Sequence, residues 1–91
     1  MSTVPSDDAA REVLVVLLMC PETVEQLVTM LPEDVEKGLA GRDGSVRAGV
    51  GRVLGALHRD GLIRPVRPAH DSWELTGAGR TVAQRIDDAS G

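Results

Sequence analysis

The stretch VLVVLLMC, from Val13 to Cys20, is the longest apolar run in the chain, and it stops at Pro21. Eight residues are too few to cross a bilayer, which takes about 20. The side chains before it include Asp7, Asp8 and Glu12, whereas a signal peptide opens on a basic segment. The run is therefore expected inside a folded cytoplasmic domain. A chain of 91 residues buries only about 60–70% of its unfolded surface on folding, so such a run has to lie near the centre. One Trp and no Phe or Tyr make the core aliphatic. Cys20 is the only cysteine, which excludes an internal disulfide and fits a small buried hydrophobe. One domain is expected over 7–88, with a flexible N-terminal tail at 1–6 and a C-terminal tail at 89–91.

Local signals divide that domain. Ser6 is expected to cap a first helix whose opening turn carries Asp7 and Asp8, where the helix dipole favours negative charge. That helix runs to about Cys20 and is apolar all round from Val13, as in a helix buried on most sides or packed on a second copy. Thr23 and Gln26 form a capping box, followed by Val24, Leu27, Val28 and Leu31 on one face. Pro32 either ends this helix or starts a short one through PEDVEKGLA, with Val35 and Leu39 inward. GRDG, 41–44, reads as a loop.

The next helix begins at Ser45. At about 100° per residue, Val46, Val50, Val53 and Leu57 share a face, with Leu54 at its edge. Gly61 is expected as the left-handed residue after the helix, with Leu62 folding back as its hydrophobic contact. Pro65 and Pro68 confine the next segment to edge strands, so Leu62–Arg67 and Ser72–Leu75 are expected as a hairpin. Trp73 then covers the core edge. Thr76 caps a last helix with Ala78, Val82 and Ile86 inward. The fold class is mainly α with a small β-hairpin.

The pattern VGRVLGALHRDGLIRPV…WELTGAGR resembles bacterial winged helix-turn-helix transcriptional regulators of the MarR, PadR and ArsR type. Leu57, Gly61, Leu62 and Ile63 match the L-x-x-x-G-L-I end of their recognition helix. Leu75, Thr76, Gly79 and Arg80 match the L-T-x-x-G-R that opens their closing helix. The likeness covers residues 13–86 and implies a winged helix-turn-helix that binds DNA. Pro32 to Gly44 is longer than an ordinary helix-turn-helix turn, an extension that PadR-like members tolerate.

Charge is unevenly divided. Residues 1–41 hold Arg11 and Lys37 against eight carboxylates, whereas residues 42–86 hold eight arginines against Asp43, Asp60, Asp71 and Glu74. Such asymmetry points to a partner. The helix from Ser45 turns a face of Arg47, Ala48, Gly51, Arg52, Gly55, His58 and Arg59 away from its core side, with no acid of its own. Glycine in a helix costs about 1 kcal/mol against alanine. Gly49 borders the core, where it admits a close neighbour, but Gly51 and Gly55 point outward, where a docking partner explains them better than internal packing.

The expected function is a sequence-specific regulator of transcription binding double-stranded DNA. Helix 45–60 enters the major groove and wing 64–72 lies on the backbone. The expected contacts are Arg42, Ser45, Arg47, Ala48, Gly51, Arg52, Gly55, Arg64, Arg67 and His70. A homodimer through the first helix, the last helix or both is expected, and 91 residues leave no room for a separate effector domain. No catalytic residue, metal or cofactor is expected: Ser45, His58 and Asp60 lie on one helix without an oxyanion hole, and His58, His70 and Cys20 lack metal-ligand spacing. The alternative is a winged-helix protein-interaction module: an adaptor, antirepressor or subunit of a larger assembly. The acidic first half favours it.

Overall fold

Four of the five helices open on a side chain that answers an unpaired backbone N–H; the one that follows Pro32 has no side-chain cap. In the computed structural model, which describes residues 4–66 and 72–90, α1 spans Asp8–Met19. Its cap is Asp7, whose Oδ1 accepts from the Ala9 N–H at 3.0 Å, and not Ser6. The reason is geometric: a capping side chain reaches the second or third helical N–H, and the helix starts one residue later than Ser6 could serve. Ala9, Ala10, Val13, Leu14 and Leu17 are buried, and Val15, Val16 and Leu18 are half-buried against the core. The helix ends at Met19, which is 82% exposed, and Cys20 is exposed too, so the end of the apolar run is at the surface and Cys20 is no core residue.

Glu22–Thr23 forms a two-residue strand, β1, before α2, Val24–Met30. The Thr23–Gln26 capping box closes in both directions, at 2.8 and 3.2 Å. Leu31 is extended, as the residue before a proline must be, and Pro32 both ends α2 and precedes α3, Glu33–Asp43. Val35 and Leu39 face inward. The segment 41–44, expected as a loop, is mostly helix: Gly41 to Asp43 complete α3, and only Gly44 turns, at φ 87°. Its N–H closes the helix on the Ala40 carbonyl at 3.0 Å, so one left-handed glycine takes the place of the whole loop.

Ser45 caps α4, Val46–Arg59, by accepting from the Ala48 N–H at 3.1 Å. Its buried residues are Gly49, Val50, Val53, Leu54 and Leu57. The helix stops as expected: Gly61 has φ 78°, its N–H bonds the His58 carbonyl, and the Leu62 N–H bonds the Leu57 carbonyl, each at 3.0 Å. Leu62 turns back into the core.

The hairpin pairs β2, Ile63–Pro65, with β3, Ser72–Leu75, in the register Ile63↔Leu75, Arg64↔Glu74 and Pro65↔Trp73. Strand β1 pairs on the other edge of β3, so the antiparallel sheet has three strands in the order β1-β3-β2 rather than the two of a hairpin. Thr76 caps α5, Gly77–Ser90, accepting from the Gly79 N–H at 3.1 Å. Val82 and Ile86 are buried, but Ala78 is exposed and Gly79 takes the inward seat. Helix α5 packs along α1, and α3 along α4. The fold is mainly helical with a small antiparallel sheet, and its core is aliphatic with Trp73 half-buried at the edge. No helix among the described residues is long and apolar enough to cross a membrane.

Candidate functional site

Helix α4 lies closest to α3 at Gly49, on the same buried face as Val50, Val53, Leu54 and Leu57. A Cβ built on Gly49 would lie 2.8 Å from both Cβ and Cδ2 of Leu39. The bare glycine lets α3 press on α4 there, which puts Gly49 on the inward face. On the outer face Arg47, Ala48, Gly51, Arg52, Gly55, His58 and Arg59 are all exposed. Nothing stands within 4 Å of a Cβ built on Gly51 or Gly55. Among the described residues, therefore, no neighbour requires either glycine.

The arginines diverge to two flanks. On the sheet side, Arg47 and Gly51 line an open groove of about 450 Å³ with Val24, Pro65, Ser72 and Trp73. The Trp73 ring meets His58 edge-on, with centroids 5.4 Å apart. On the other flank, Arg52 reaches back to α3. Its Nε donates to Asp43 Oδ1 at 2.8 Å and its Nη2 to Asp43 Oδ2 at 3.2 Å, while Asp7 Oδ2 lies 4.0 Å from Nη2. Arg42, near the end of α3, has Nη2 3.5 Å from Asp7 Oδ1. Ser45 is occupied as a cap. Arg64, on β2, donates from Nε to Glu74 Oε2 at 2.6 Å across the hairpin. Arg67 and His70 both fall in the segment 67–71, outside the described residues.

The face is acid-free along α4 itself, yet neighbouring elements bring carboxylates to it. Arg47 pairs with Glu25 of α2, and Arg42, Arg52 and Arg64 pair as above. These four partners, Glu25, Asp7, Asp43 and Glu74, are what sequence reasoning missed. Only Glu74 had a signal, because a correct hairpin register puts it opposite Arg64. The Arg52 hydrogen bond is the main reason the Asp43 carboxyl is held below its ordinary range, and Asp43 in turn raises the Arg52 guanidinium. The Arg47–Glu25 pair is exposed on both sides and contributes little to stability, so its effect on the surface is chiefly to fix side chains and offset charge.

Among the described residues no group of three or more His, Cys, Asp or Glu side chains is placed to hold a metal ion. Ser45 and His58 stand at opposite ends of α4, about 20 Å apart at 1.5 Å per residue. The Cys20 thiol donates to Glu22 Oε1 at 2.8 Å, and that bond, with the nearby negative charge, pushes the thiol pKa up, away from a reactive thiolate. No family model, curated protein or solved structure matches the chain.

Proposed function

We propose that the chain is a winged helix-turn-helix protein that binds double-stranded DNA and regulates transcription as a homodimer. Helix α4 enters the major groove, and the hairpin arm, 64–72, lies along the backbone. The order helix, strand, helices, hairpin, helix and the strand order β1-β3-β2 support the winged-helix reading. The observation that carries the DNA reading is the outward face of α4: two open glycines and Ala48 flanked by Arg47 and Arg52. Small residues let the helix axis come close to base edges, and arginine forks match guanine and phosphate.

A second reading, a protein-interaction module, draws on the internal carboxylates that hold Arg42, Arg47, Arg52 and Arg64. Charge already offset within the chain lowers the attraction to a polyanion. Selection of bound sequences from random duplex DNA decides between the two. DNA binding gives an enriched motif, as two half-sites about one helical turn apart for a dimer, and Gly51→Gln abolishes the enrichment without unfolding the protein. No enrichment from wild-type protein overturns the DNA reading.

A further inference from the structure

Asp43 occupies an unfavourable place. It is the last residue of α3, where the helix dipole is negative and a carboxylate is disfavoured. It is nevertheless drawn in against α4. Its side chain is 15% exposed, and its Oδ2 would lie 3.1 Å from a Cβ on Gly49. The missing side chain of Gly49 thus makes room for Asp43 as well as for Leu39. What Asp43 gains there is Arg52, gripped at two points along the edge formed by Nε and Nη2.

A guanidinium held by that edge keeps its other edge available. Among the described residues no hydrogen bond engages Nη1 of Arg52; Asp7 Oδ2 stands 4.0 Å from Nη2, beyond hydrogen-bond distance, and the side chain is 47% exposed. Arg52 sits in the middle of α4, with exposed Ala48 and Gly55 one turn to either side. A helix with such small neighbours brings its mid-point near the floor of a groove, where base edges lie. Phosphates, by contrast, are met by helix ends and loops. A long side chain loses rotamer freedom when it binds. One already clamped has little left to lose and presents its donors in a fixed plane.

We infer that Asp43 is a positioning residue for DNA recognition: it clamps the Nε–Nη2 edge of Arg52 so that the Nη1–Nη2 edge reads the paired O6 and N7 acceptors of a guanine. This rests on the DNA-binding reading above. Arg52 supplies the contact, and Asp43 supplies its orientation without touching DNA.

The test measures affinity for the selected duplex and for duplexes carrying each single base-pair change, with wild type, Asp43→Asn, Arg52→Lys, Arg52→Ala and the Asp43→Asn/Arg52→Ala double variant. Asp43→Asn should lose about tenfold in discrimination at one guanine and keep it elsewhere, whatever happens to overall affinity. Arg52→Lys, which keeps the charge but loses the fork, should lose discrimination at the same guanine. In the Arg52→Ala background, Asp43→Asn should change nothing further. If Asp43→Asn melts below the assay temperature, the Arg52→Lys profile carries the comparison, and no loss of discrimination at any guanine overturns the inference. Discrimination kept in folded Asp43→Asn, or lost equally at every position, overturns the inference and leaves DNA binding intact. Wild type with no preference among duplexes overturns both.

Discussion

Gly79 of α5 stands directly against the backbone carbonyl of Leu62, so close that a Cβ on Gly79 would lie 1.8 Å from that oxygen. The same carbonyl accepts the Thr76 N–H at 3.0 Å, and the Thr76 hydroxyl donates to the Gly61 carbonyl at 2.6 Å. The end of α4 and the start of α5 are thereby locked together, which gives a physical reason for D-G-L-I and L-T-x-x-G to occur in one chain. Gly79→Ala has to push backbone apart and should cost about 1–3 kcal/mol. Gly77→Ala, with nothing within 4 Å of its Cβ, should leave stability unchanged or slightly raised. Denaturant melts of both variants make the comparison.

The glycines of α4 should divide in the same way. Gly49→Ala drives a methyl into Leu39 and should destabilise the fold. Gly51→Ala and Gly55→Ala meet open space and should each stabilise it by up to about 1 kcal/mol. Gly51→Gln should fold and bind DNA poorly, whereas Gly49→Gln should fail to fold. Unfolding by Gly51→Gln would contradict the orientation of α4.

Those positions also show how far the sequence could be read. The inward set Val50, Val53 and Leu57 follows from helical period, and the Gly61 stop from one left-handed residue. Gly49 was legible because its helix-wheel position borders the core. Strand β1 was not: two residues are too few to show alternation, and Glu22–Thr23 pairs only because β3 offers an edge. Ala78 was misplaced because the buried face of α5 runs through Gly79, Val82, Ala83 and Ile86, with Gly79 seated against the Leu62 carbonyl where a larger side chain would not fit. The Arg52–Asp43 and Arg47–Glu25 pairs join separate helices and depend on packing alone.

Stability should fall in acid partly through Asp43. Its folded carboxyl lies below the ordinary value, so the unfolded chain binds the proton more readily. The stabilisation is complete above the ordinary carboxylate value of about 4 and is lost as pH falls through the lowered folded value. Melting temperatures of wild type and Asp43→Asn, taken from neutral pH downward, should converge below about pH 4. A constant gap would contradict the assignment.

The exposed carboxylates should act differently from Asp43. Glu25, 55% exposed, offsets Arg47 on the groove side of α4, and Glu74 offsets Arg64 on the hairpin. Glu25→Gln and Glu74→Gln free an arginine and remove a charge that repels phosphate. Each should tighten duplex binding about two- to fivefold at low salt, with the preferred sequence unchanged. Fluorescence anisotropy on the selected duplex reads this directly.

The most direct test of the central claim is a salt titration of wild-type protein on its selected duplex. If α4 and the hairpin dock on DNA through Arg42, Arg47, Arg64 and their neighbours, the logarithm of the affinity should fall linearly with the logarithm of salt, at about −0.9 per phosphate contact. Arg47→Ala and Arg64→Ala should each make that slope shallower by about one contact. Absence of duplex binding at the lowest salt, or an affinity indifferent to salt, would contradict it.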